Sequence, residues 1–176
     1  MTIKFYTKHA ISKKERKKLA MRLRDALGDP AQRKVLEADK VEVAKTKDGL
    51  VLYYIDEVPL FVELEGRIIP TVLGAQLGAC SSPYVVVDAG AVPHILNGAD
   101  VMVPGIVSIK GDFREGAIVI VVDEKKRVLA VGTALMSSDR IRQEKKGKAI
   151  KNLHYVGDKL WKVYMERRFL RLLGVG

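Results

Sequence analysis

Val87-Asp88-Ala89-Gly90-Ala91-Val92-Pro93-His94-Ile95-Leu96-Asn97-Gly98-Ala99-Asp100-Val101-Met102-Val103-Pro104-Gly105-Ile106 decides the reading of this chain. Asp88–Gly90 reads as a turn that opens a short helix over Ala91–Asn97. Pro93 falls in the first turn of that helix, where a missing N–H breaks no intrahelical bond. Gly98 follows the last helical residue, the position where a left-handed glycine ends helices. Ala99–Val103 then reads as a strand and Pro104-Gly105 as a turn.

Working outward toward the C-terminus, Ala117–Val122 and Arg127–Met136 are apolar strands around a charged Asp123–Lys126 turn. Ser138–Lys146 has the composition of a charged helix, Lys159–Tyr164 reads as a last strand, and 166–173 as a terminal helix. Toward the N-terminus, Tyr84–Val87 is a strand, and the small, proline-containing loop Ser81-Ser82-Pro83 marks a domain boundary. Ahead of it, Ser12 and Glu15 stand at capping-box spacing for a helix over 12–27. Its apolar stripe is Leu19, Leu23, Ala26 and Leu27. Gly28-Asp29-Pro30 stops that helix and starts another over Ala31–Ala38. Val41 and Val43 alternate with polar neighbours, and Leu50–Asp56 and Pro59–Leu64 are strands, with turns at Asp48-Gly49 and Glu65-Gly66. Pro70–Ala79 closes this part as a short helix. The expected class is α+β: a small α+β domain over 1–80, then a β-barrel or sandwich over 84–165, since many short strands with tight turns build such folds.

The composition supports packed domains: 48% of the 176 residues are hydrophobic and 30% charged. Cys80 is the single cysteine and reads as a small buried apolar group, which rules out an internal disulfide and fits a cytoplasmic protein. The longest apolar runs have strand length, short of the roughly 20 residues of a membrane-spanning helix, and no signal peptide is legible, so no membrane partner is expected. Abundant charge with few Asn and Gln is the profile of a thermophile protein. Residues 1–34 hold 11 basic and 3 acidic side chains, residues 140–176 the same, and the middle carries 9 basic against 15 acidic. Positive charge gathered at both ends suits a polyanion, because a Lys or Arg at a phosphate releases condensed counterions. A solvated thermophile surface gives the same pattern.

Enzyme signatures are missing. His9, His94 and His154 with Cys80 form no zinc spacing, so no metal or other cofactor is expected. Gly111-Asp112-Phe113-Arg114-Glu115-Gly116 is followed by Ala117-Ile118 and lacks the Lys and Ser/Thr of a phosphate loop; it reads as a turn between strands. Asp56/Glu57 and Glu63/Glu65 fall at solvated positions of the strand pattern.

The segment that opens this section resembles the start of a PUA domain. In that family a D-x-G-A turn begins a short helix, and a G-A-[DN] step leads to a strand ending in P-G. Val131-Gly132, Gly147-Lys148-Ala149-Ile150 and His154-Tyr155-Val156-Gly157-Asp158-Lys159-Leu160-Trp161 resemble later parts of the same domain. With the basic helix and strands in front, the whole order is similar to the malignant T-cell-amplified sequence family and its archaeal relatives.

That resemblance implies a PUA-type barrel, RNA binding and no catalysis. It implies a translation adaptor that contacts tRNA or small-subunit rRNA in initiation or recycling, with the small ribosomal subunit and a translation-factor protein as partners. The alternative is a non-catalytic RNA-recognition subunit of a tRNA- or rRNA-modifying or ribosome-biogenesis complex. A third reading is a protein-docking module that uses the acidic strands Asp56 to Glu65. The implied close-approach surface for RNA is Gly90, Ala91, His94, Asn97, Gly98 and Ala99, extended by Met102, Gly132 and Tyr155. Phosphates are expected at Arg142, Lys145, Lys146, Lys148 and Lys151. Lys13, Lys14, Lys17, Lys18 and Arg22 form an N-terminal basic surface for rRNA or a protein, and the cations of both chain ends are expected to converge on one glycine-lined cleft.

Overall fold

The structure, a computed structural model, describes residues 5–172, and the side chains of 7–165. Five antiparallel strands form the first sheet in sequence order: β1 (Phe5–Ala10), β2 (Val41–Thr46), β3 (Val51–Ile55), β4 (Val58–Leu64) and β5 (Arg67–Pro70). Two of its hairpins turn through two residues at positive φ, Asp56-Glu57 (46° and 70°) and Glu65-Gly66 (51° and 76°). Turns of that hand match the right-handed twist of the strands they join.

Helix α1 (Lys13–Leu27) begins where the Ser12 hydroxyl accepts a hydrogen bond from the Glu15 N–H at 3.1 Å. It buries Leu19, Ala20, Leu23 and Leu27; Ala26, expected in the stripe, is exposed, and Ala20 takes its place. Helix α2 (Asp29–Leu36) packs beside it and buries Ala31 and Val35. Helix α3 (Val72–Gln76) is capped by the Thr71 hydroxyl, which accepts from the Gly74 N–H at 2.8 Å.

The second sheet has six strands in the order β7-β11-β10-β9-β6-β8. These are β6 (Tyr84–Val87), β7 (Val101–Met102), β8 (Ile106–Lys110), β9 (Ile118–Val122), β10 (Val128–Ala134) and β11 (Lys148–Tyr155). β6 runs parallel to β9, and the other pairings are antiparallel. Helix α4 (Val92–Ile95) follows β6, and helix α5 (Ser138–Gln143) precedes β11. The chain is thus α+β, with an N-terminal α/β part followed by a PUA-type half-barrel. β1, β5, β8 and β11 were not among the expected strands. The expected strand Lys159–Tyr164 is instead the start of helix α6 (Lys159–Leu172), opened by the Asp158 carboxylate, which accepts from the Trp161 N–H at 2.7 Å. The expected 166–173 helix is its second half; position 173 lies outside the described residues.

The unbroken apolar run of β9 has a packing cause. Val119 and Val121 face the interior of the half-barrel with Val85, Val87, Ile95 and Phe113. Ile118, Ile120 and Val122 face the other way and join Leu52, Phe61, Ile69 and Leu73 of the N-terminal part. A strand covered on both faces carries no polar alternation. Val131, Leu160, Val163 and Tyr164 belong to the same shared core. Polar links cross the junction as well. The Val128 N–H donates to Gln76 Oε1 at 2.9 Å, an Arg67 guanidinium N–H donates to the Gly116 carbonyl at 2.6 Å, and the Ser81 N–H donates to the Leu27 carbonyl at 3.0 Å. Cys80 is half-buried against this core, and burial pushes its thiol above the usual range.

Candidate nucleic-acid interface

The residues from Asp88 to Gly105 wrap around a cavity of about 710 Å³, within the range of ligand pockets. Asp88 fixes its entrance: the Asp88 N–H donates to the Gly105 carbonyl at 2.9 Å, and Asp88 Oδ1 accepts from the Ala91 N–H at 2.9 Å. The turn and α4 are thereby set on the end of β6. Gly105 lets the two walls meet, since a Cβ there would stand 3.0 Å from that of Ala91. At the far end of α4, Gly98 has φ 92°. The Tyr155 ring covers it, and a Cβ on Gly98 would come 3.1 Å from the Tyr155 hydroxyl. Asn152 on β11 holds this corner from below. Its amide donates to the Ile95 and Ala99 carbonyls at 3.1 Å each, and its N–H donates to Asp100 Oδ1 at 3.0 Å.

Of the residues expected at the RNA surface, the structure brings Ala91, His94, Gly98, Ala99, Met102 and Lys148 together around this cavity. Gly90 and Asn97 are exposed beside it but do not line it. Tyr155 is half-buried against Gly98. Gly132 is buried in β10 and stands away from the surface. A β-bulge follows Val131, and a Cβ on Gly132 would fall 2.4 Å from the Lys151 carbonyl oxygen. Asp88, Ile95, Asp100, Val101, Pro104 and Gly105 also line the cavity. Sequence reasoning quoted all of them but read them only as turn, helix and strand formers.

The cations divide into three groups. Lys148 lies in the cavity with its ammonium 3.4 Å from Asp100 Oδ2. Lys145 and Lys146 are exposed on the turn that leads to Gly147, whose carbonyl accepts from the Val103 N–H; they form no ion pair among the described residues. Arg142 is shared between Asp112 and Asp139, at 3.2 Å each, and Lys151 reaches Glu65 at 3.2 Å. Exposed pairs of this kind are worth little and are readily exchanged for phosphate.

Lys13, Lys14 and Lys17 are exposed on α1. Lys18 and Arg22 line a separate groove of about 460 Å³ with His9, Lys45, Tyr53 and Glu63. There the Tyr53 hydroxyl donates to Glu63 Oε1 at 2.7 Å and Arg22 donates to the same oxygen. Burial, with the Glu63 hydrogen bond, pushes the Tyr53 phenol up to about 12. Burial would raise the Glu63 carboxyl, but the hydrogen bonds from Tyr53 and Arg22 outweigh it and hold the group below its ordinary range. None of the α1 cations lines the Asp88–Gly105 cavity, so the expected convergence on one cleft is not met among the described residues. Within the same limits, no cluster of His, Cys, Asp and Glu is arranged to hold a metal ion, and no helix is long and apolar enough to cross a membrane.

A six-stranded half-barrel with a short helix and a cavity against its β7 edge defines a PUA domain protein, the domain being an RNA-binding one. Residues 83–156 match the PUA domain family, and residues 7–74 match a domain of unknown function, DUF1947. An uncharacterized protein of Methanocaldococcus jannaschii is 38% identical over 155 residues, 88% of this chain and 94% of the relative. Translation machinery-associated protein 20 of Schizosaccharomyces pombe is 34% identical over 69% of this chain and 71% of its own length. Malignant T-cell-amplified sequence 1-B of Xenopus laevis is 30% identical over 70% and 71%. The crystal structure of a hypothetical protein from Pyrococcus horikoshii superposes with a TM-score of 0.77 at 38% identity, covering 90% of this chain and 99% of that one. The chain belongs to the family of translation machinery-associated protein 20 and malignant T-cell-amplified sequence proteins.

Proposed function

We propose that this chain is a non-enzymatic RNA-binding adaptor of translation, which contacts tRNA or small-subunit rRNA in initiation or recycling. Residues 84–165 hold RNA in the cavity beside α4, and residues 1–80 carry an anchoring surface on α1 for rRNA or a protein of the small ribosomal subunit. The observation that supports this most is the cavity itself. Its wall of Ala91, Gly98, Ala99 and Gly105 admits a ribose and base at close range, Lys148 lines it, and the exposed Lys145 and Lys146 precede Lys148 in the chain and are offered to phosphate. The names of the translation machinery-associated relatives point the same way.

The test is a titration of the full chain against tRNA and against a small-subunit rRNA fragment over a series of salt concentrations. Phosphate contacts give a log-linear loss of affinity with salt, with a slope of about one per contacted phosphate. Salt-independent binding, or none to either RNA, overturns the proposal.

A further inference from the structure

Two cross-strand rows share one face of the first sheet, His9–Val43–Tyr53 and Lys45–Val51–Glu63. The opposite face carries Ala44, Leu52 and Tyr54 and is packed into the shared core. Helix α1 borders the first face, and the groove of about 460 Å³ lies between them. Its floor is apolar. Val43 and Val51 lie there with Ile11 and Leu19, yet neither valine joins either core. Met21, three residues along α1 from Lys18 and so on the same side of the helix, is 65% exposed.

The charges around that floor are those of His9, Glu15, Lys18, Arg22, Lys45 and Glu63. Arg22 and Glu63 cancel each other in the cluster that Tyr53 completes. Lys18 and Lys45 form no ion pair among the described residues, although Lys45 is near enough to Glu63 to help lower its carboxyl. Against Glu15 they leave an excess of positive charge, which a protonated His9 would increase. β1 is the end strand of its sheet, so one row of its N–H and C=O groups has no strand beside it among the described residues. Such an edge pairs with an extended peptide, whose alternate side chains then fall on the face that His9 occupies.

An RNA backbone satisfies only the charge. It carries a phosphate at every step and brings no aliphatic group to Val43 and Val51. A peptide with Asp or Glu beside Leu, Ile or Val meets the cations, the apolar floor and the strand edge together. We infer that the groove between α1 and the first sheet docks an acidic, partly aliphatic segment of a partner protein, with Lys18 and Lys45 taking its carboxylates and Val43 and Val51 its aliphatic side chains. This rests on the anchoring surface proposed for α1 and chooses a protein over rRNA for the groove side of that helix; Lys13, Lys14 and Lys17 lie outside the groove.

The experiment selects short random peptides displayed on phage against the immobilised full chain. Peptides that combine acidic and aliphatic residues are expected to be enriched. Fluorescence anisotropy of those peptides should show at least about tenfold weaker binding to the Lys18→Ala, Lys45→Ala variant, against a change within about threefold for Lys13→Ala, Lys17→Ala. All four lysines are exposed, and unchanged urea midpoints show that both variants are folded. Enrichment of no peptide, or only of peptides without acidic residues, overturns the inference. A loss in the groove variant no larger than in the other also overturns it, since general charge attraction then explains the binding. A small-subunit rRNA fragment that displaces the selected peptide assigns the groove to RNA and overturns it as well. RNA binding by the half-barrel is read separately, in the salt titration, and stands or falls apart from these outcomes.

Discussion

The Nε2 of His154 lies 2.9 Å from the Tyr164 hydroxyl, joining β11 to α6 through two wholly buried side chains. The other ring nitrogen, Nδ1, lies 2.8 Å from Asp158 Oδ2. Burial pushes the Asp158 carboxyl up, but hydrogen bonds from His154 and from the Trp161 and Tyr155 N–H groups outweigh it and hold the group ionised below its ordinary range. An ionised carboxylate only accepts, so Nδ1 carries a proton, and the remaining hydrogen bond joins Nε2 to the Tyr164 hydroxyl. Burial raises the Tyr164 phenol, which keeps that hydroxyl protonated.

Tyr164→Phe removes that hydroxyl and leaves Nε2 buried without its partner. Stability should fall by about 1–3 kcal/mol. Urea unfolding of the two proteins reads the difference, and an unchanged midpoint would show that the bond contributes nothing.

Asp158 sets a pH dependence. Its pKa is lower folded than unfolded, so its contribution is complete above the ordinary carboxylate range near about 4 and is lost as pH falls through the lower folded value. The stability gap between the unchanged protein and Asp158→Asn should therefore widen as pH rises from about 2 to about 5 and stay level from there to neutrality. A gap that narrows over that acid range would contradict the sign.

Gly132→Ala places a methyl group 2.4 Å from the Lys151 carbonyl oxygen and 2.5 Å from the Ile150 Cγ2, and the first of these is backbone that cannot step aside alone. A loss of about 2 kcal/mol or more is expected, against about 1 kcal/mol for Gly116→Ala, which meets no atom within 4 Å but keeps φ at 90°. Thermal unfolding of both variants ranks them; the reverse order would mean that the bulge yields easily.

Lys145→Glu with Lys148→Glu reverses one charge that lines the cavity and one on the turn before it. RNA affinity at moderate salt should drop by about tenfold or more, and the salt slope should become shallower. Both side chains are exposed, so the unfolding free energy should stay within about 0.5 kcal/mol. Undiminished RNA affinity would remove these lysines from the interface.

How far the sequence could be read differs from place to place. The Ser12 cap, the Gly28 stop and the hairpin turn at Glu65-Gly66 are local devices, and each stands where the pattern put it. The segment Lys159–Tyr164 looked like a strand because Leu160, Trp161, Val163 and Tyr164 are bulky and closely spaced. The Asp158 cap and the shared core make it helical, and the core is a long-range fact. β8 was missed because it is an edge strand whose burial is uneven, so it offers no clean alternation. At the candidate site, the small residues were legible from the glycine and alanine pattern. Asp88 and Asp100 were not, because an aspartate in a turn reads as a backbone partner, and only the folded chain shows that both line the cavity.

The core that runs from Leu52 and Phe61 through Ile120 to Val131 and Tyr164 makes the molecule behave as a caliper. Its jaws are the cation-bearing helix α1 and the rim at Lys148, and the span between them is set by side chains locked together rather than by a swinging tether. A binding surface that engages both jaws must present matching features at that one spacing, and a surface with the right chemistry at another spacing can hold only one of them.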